Sequence, residues 1–151
     1  MPMPWTYRHG DKEWRRFLDD IREVMSTPSD NVAYTTAQGV LAAFRARLTV
    51  AEAAAFAQVL PAMVRALFFE GWVPEAPIDW ADRQTYTAEA RALRADHNFA
   101  TARALEAVSV ALHRALGAPA LEAALDRIGP EARAFWALEG YSEADLARHG
   151  F

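Results

Sequence analysis

The chain has no cysteine in its 151 residues. Disulfides and thiolate metal sites are therefore excluded, and a cysteine-free composition fits a reducing cytoplasm. No apolar run approaches the roughly 20 residues that cross a bilayer. Met1-Pro2-Met3-Pro4-Trp5 lacks the basic and apolar regions of a signal peptide, so a cytoplasmic protein with no membrane association is expected. No block of five like charges occurs, and the net charge is −4. That balance argues against nucleic acid, which needs a clustered basic face. Ser26, Ser29, Ser109 and Ser142 sit in no nucleophile elbow, and there is no glycine-rich phosphate loop. His9, His97, His113 and His149 lack metal spacing. Asp145 and His149, four apart, make one chelating pair where a site needs three or four ligands. No metal, cofactor or catalytic residue is assigned.

What is abundant is helix-forming residues, with alanine, leucine, arginine and glutamate dominating. Two stretches repeat one pattern. Val40–Leu48 lies over Val108–Leu116 at an offset of 108 − 40 = 68. After one inserted residue the offset is 130 − 61 = 69, which aligns Pro61 with Pro130 and Glu70-Gly71-Trp72 with Glu139-Gly140-Tyr141. A repeat fixes architecture before any local reading. The expectation is an all-α protein. Two tandem helical repeats of about four helices each, about 11–72 and 82–141, pack into one pseudo-twofold bundle, a single domain over 1–151.

Local signals place the helices. The first twelve or so residues read as an extended arm. Trp14, Phe17, Leu18, Ile21, Val24 and Met25 mark one apolar stripe over about 11–25. Pro28-Ser29-Asp30 ends that helix and caps the next, which runs to about Leu48. Thr49 and Glu52 have capping-box spacing for a helix ending near Leu60, and Pro61 opens one to Glu70. Residues 73–81 are the longest irregular link. Helices follow at about Asp82–Ala95 and Asn98–Leu116; Gly117-Ala118-Pro119 punctuates, a helix follows to Ile128, and Gly129-Pro130 opens the next. Ser142–Asp145 opens a short last helix. Gly71 and Gly140 read as left-handed stops, with Trp72 folding back on Leu67. Gly39 and Ala43, with Ala107 and Ala111, predict close approach of the helices that carry them.

Three motifs carry a family resemblance. Ala43–Ala53 resembles the family stretch "LRDRLTVEEA", Leu60-Pro61 with Arg65 resembles "LP…R", and Phe68–Pro74 resembles "YYEGWxP". From about Trp14 to Leu138 the chain is similar to the bacterial family of unknown function DUF2267. Two departures stand out: Gln58-Val59 replaces the family's Ala-Gln, and Phe68-Phe69 replaces its Tyr-Tyr. The resemblance implies an all-α fold and no known reaction.

The candidate pocket or interaction residues are Glu70, Trp72, Pro74, Arg65, Arg47, Glu139 and Tyr141. Glu70 and Glu139 each read as the last residue of a helix, where the dipole disfavours a carboxylate. Arg65 and Arg47 are the expected counter-charges. Without site chemistry, the expected role is a non-enzymatic interaction or scaffold protein in bacterial stress physiology, with a protein partner or a second copy as occupant. The alternative is a small-molecule binding protein or enzyme with its pocket between the halves.

Overall fold

The helix-forming composition is realised throughout. Among the described residues, 2–93 and 102–149 of the computed structural model, there are nine helices and no strand. A single turn, α1 (Trp5–Arg8), precedes two long helices, α2 (Gly10–Met25) and α3 (Asp30–Arg45), and two short ones, α4 (Val50–Ala57) and α5 (Ala62–Phe69). Beyond the extended link come α6 (Arg83–Ala92), α7 (Ala104–Leu116), α8 (Ala118–Asp126) and α9 (Pro130–Trp136). The expected helix end at Ala95, the start at Asn98 and His97 lie outside the described residues. No described helix is long and apolar enough to cross a membrane.

The boundaries follow capping chemistry. Ser29 accepts from the Val32 N–H at 3.2 Å and opens α3. Thr49 and Glu52 form the expected capping box, bonded at 3.1 and 2.9 Å, and open α4. Asp82 accepts from the Thr85 N–H at 2.8 Å and opens α6. The first residues are not a free arm. α1 packs on α2, and the Thr6 hydroxyl donates to Glu13 while accepting from the Ala62 N–H at 2.9 Å. Pro61 has no side-chain oxygen to cap α5, so Thr6 supplies the missing acceptor from the other end of the sequence. The expected last helix is only a turn, closed by reciprocal Ser142–Asp145 bonds at 3.0 and 3.1 Å.

The apolar stripe of α2 is buried at Phe17, Leu18, Ile21 and Val24, and α2 lies against α7. In the same way α3 lies against α6, while α3 touches α7 and α4 touches α8. Buried side chains from α2 through α9 form one cluster. Phe44 is its aromatic centre, with ring centroids of Phe56, Phe135 and Trp136 at 4.9, 5.0 and 5.2 Å. Gly39 does mark a close approach, but the tight neighbour is α6 rather than the helix carrying Ala107. A Cβ at Gly39 would fall 2.5 Å from the Ala90 carbonyl oxygen. α6 presents the small side chain of Ala90 there, so its backbone comes nearest.

Two returning segments clamp helix ends. The Ile78 N–H donates to the Ala46 carbonyl at 3.0 Å, and Arg47 Nε donates to the Asp79 carbonyl at 3.0 Å. The His149 N–H donates to the Arg114 carbonyl at 3.0 Å, and Arg114 Nε donates to the Asp145 carbonyl at 2.8 Å.

Candidate functional site

The C-terminal end of α5 gathers three of the expected residues. The helix stops at Phe69, one residue earlier than expected. Glu70 (φ −60°, ψ 126°), Gly71 (φ +69°) and the Trp72 N–H to Phe69 carbonyl bond at 3.1 Å make a type II turn. Only its third position needs φ > 0, and glycine supplies it. Trp72 stacks on Phe69, with centroids 5.5 Å apart. Arg45, whose guanidinium lies 5.8 Å from the Trp72 ring centre, donates to the Phe68 carbonyl at 2.7 Å and caps the open end of α5. Burial lowers the pKa of that guanidinium. Pro74 is exposed beyond the turn.

Among the described residues no arginine forms a salt bridge with the Glu70 carboxylate. Its Oε2 accepts from the Tyr34 hydroxyl at 2.9 Å and from Gln38 Nε2 at 3.1 Å. Both donors sit four apart on one face of α3, a spacing visible in the sequence but not coupled to Glu70 by any local rule. Arg65 and Arg47, the expected counter-charges, are engaged elsewhere. Arg65 donates to the Ala57 and Leu60 carbonyls at 2.8 and 3.0 Å and so caps α4. Arg47 pairs with Glu89.

Glu139 stands apart from Glu70. α9 ends at Trp136, so Glu139 lies three residues past the helix rather than at its last position. It lines a hollow of about 430 Å³ with Arg83 and Glu106. Tyr141 donates to Glu106 Oε2 at 2.5 Å, and Arg103 donates to the same carboxylate at 2.7 Å. Arg103 first, then Tyr141, hold the Glu106 carboxyl below its ordinary pKa, while burial and then Glu106 push the Tyr141 phenol up. Arg83 reaches the Phe135 and Ala137 carbonyls at 3.0 and 3.1 Å and closes the end of α9, as Arg45 closes α5. The two glutamates thus line different hollows.

A third concavity lies where α4 meets α8. Its volume is about 350 Å³, and its walls are Ala51, Ala55, Phe56, Val59, Ala123 and Ile128, with Glu52 and Arg127 as its charged residues. Sequence reading passed over it because alanines at helical spacing look the same whether they face a core or water. His149 Nε2 lies 2.8 Å from buried Asp20, which also accepts from Arg114 at 2.8 Å. Among the described residues no group of three metal-ligating side chains occurs.

Residues 14–135 match the family model described as "Uncharacterized conserved protein (DUF2267)". No curated protein matches the chain.

Proposed function

The chain belongs to the DUF2267 family, and from that premise we propose that it is a non-enzymatic interaction module that receives a helix of a partner protein between α4 and α8. The observation that carries the reading is the alanine-walled groove of about 350 Å³, apolar along its length, with Glu52 and Arg127 beside it. Ala51, Ala55 and Ala123 are exposed, so the groove is open to solvent. Small walls admit a helix backbone closely, and Arg127 stands ready for an acidic residue on that helix. The partner is thus an amphipathic helix bearing a carboxylate.

The proposal includes the frame that presents the groove: one domain of two similar halves, about 11–72 and 82–141, packed about a pseudo-twofold axis. Several observations support it. In α2–α5 the helices have 16, 16, 8 and 8 residues and in α6–α9 they have 10, 13, 9 and 7, so the longest helix of each set is in its first pair. α2 packs on α7 as α3 packs on α6. Ala46 and Arg114, at 114 − 46 = 68, each accept a backbone hydrogen bond from a returning segment. A cytoplasmic setting is part of the proposal and rests on the cysteine-free composition.

A photocrosslinking residue at position 55, introduced in the source cell, tests the reading. The expected result is one protein adduct that disappears when Ala123→Glu blocks the groove. Adducts unchanged by Ala123→Glu, or none, overturn it. An adduct with a second copy of the chain replaces the partner helix by self-association.

A further inference from the structure

Three aromatic rings and one carboxylate converge on a hollow of about 330 Å³ between α2, α3 and α5. Trp14 comes from α2, Tyr34 from α3 and Phe69 from the last turn of α5, with Met63 beside them and Glu70 as the only charged lining residue. The rings are held by neighbours. Trp14 meets Tyr34 edge-on at 6.4 Å and lies near-parallel to buried Phe17 at 6.0 Å, and Phe69 is stacked against Trp72. The carboxylate is held as well, since Tyr34 and Gln38 both donate to Oε2. These two donors are neutral. They position the charge without neutralising it; Arg45 reaches the Glu70 main-chain carbonyl at 3.4 Å, but no salt bridge among the described residues joins a cation to the Glu70 carboxylate.

Ligand classes differ sharply here. An anion is repelled by Glu70. A hard metal ion needs several oxygen ligands, and this hollow offers one carboxylate among carbon walls. A neutral apolar molecule satisfies the rings but gains nothing from the carboxylate. A methylated ammonium satisfies both. Its charge is spread over methyl groups that desolvate readily, ring faces attract it, and the carboxylate adds a counter-ion. We infer that this hollow binds a free methylated ammonium compound. The site lies away from the α4–α8 groove and does not depend on the partner-helix reading.

Calorimetric titration of the full chain with choline and with 3,3-dimethylbutan-1-ol, its uncharged isostere, tests this. Choline should bind and shift the Trp14 indole N–H resonance, and the isostere should bind about tenfold more weakly or worse. Glu70→Gln, which keeps an acceptor for Tyr34, should weaken choline by about tenfold and leave the isostere unchanged. Phe69→Leu should weaken both. No choline binding at millimolar concentration, or equal affinity for the isostere, overturns the inference. Sedimentation of the protein with phosphatidylcholine vesicles would overturn the assignment to a free ligand.

Discussion

Arg47 holds Glu89 with both terminal nitrogens, at 2.6 and 2.9 Å, and thereby ties the end of α3 to the middle of α6. The arginine side chain is 2% exposed, whereas Glu89 is 36% exposed. Two further donors are used: Nε reaches the Asp79 carbonyl and Nη1 the Ala43 carbonyl at 2.8 Å, and the guanidinium sits 4.5 Å from the Tyr86 ring centre. Arg114 and Asp20, at 2.8 Å, link α7 to α2 in a comparable way. Both contacts cross between the front and back portions of the chain.

Arg47→Met should therefore destabilise the protein by about 2–3 kcal/mol. The Ala43 and Asp79 carbonyls lose a donor, while half-exposed Glu89 regains water and softens the loss. Arg47→Lys should recover less than half, because an ammonium cannot reproduce the fork. Urea denaturation checks both. A stability change below about 0.5 kcal/mol for Arg47→Met would put the weight of the inter-helix contact elsewhere.

Gly39→Ala separates two physical effects by sign. A helix interior gains up to about 1 kcal/mol from alanine over glycine. The added methyl would meet the Ala90 backbone oxygen at 2.5 Å, and backbone has little freedom to retreat. Overpacking should prevail with a net loss of about 1–3 kcal/mol. A more stable Gly39→Ala protein would mean that α3 and α6 are further apart than described.

Much of this architecture was legible because it rests on local rules. The Thr49–Glu52 box, the Ser29 cap and the apolar stripe of α2 needed only spacing along the chain. Contacts decided by tertiary distance were not legible. Thr6 finds Ala62 across 56 positions, and Glu70 finds Tyr34 and Gln38 on α3. Glu70 follows the end of its helix directly, whereas Glu139 lies three residues beyond its own. α5 runs to Phe69, but α9 stops at Trp136, where Ser109 takes the Trp136 carbonyl at 2.6 Å.

Acid should weaken the fold partly through Glu106. Its folded pKa is depressed below the ordinary 4.5, chiefly by Arg103. Its contribution is thus present above that pH and lost as pH falls through the folded value. The stability gap between the native chain and Glu106→Gln should be constant from about pH 7 to 5 and close below about pH 4.5. Tyr141 runs the opposite way. Its raised pKa means that its contribution is present below pH 10 and lost as pH rises through the folded value, which phenolate absorbance of the native chain against Tyr141→Phe will follow.

Thr6→Val should cost about 1 kcal/mol, the usual effect of losing a cap. Hydrogen exchange at the Ala62 amide should accelerate more than exchange in α7. Unchanged exchange at Ala62 would show that Thr6 is not its acceptor in solution.

The central claim is that neither portion of the chain buries its apolar faces without the other. Circular dichroism of a fragment spanning residues 1–73, alone and mixed with the remaining residues 74–151, tests it most directly. The 1–73 fragment should show no cooperative melting as a monomer, and a cooperative transition should return on mixing. A monomeric 1–73 fragment that melts cooperatively by itself would contradict it.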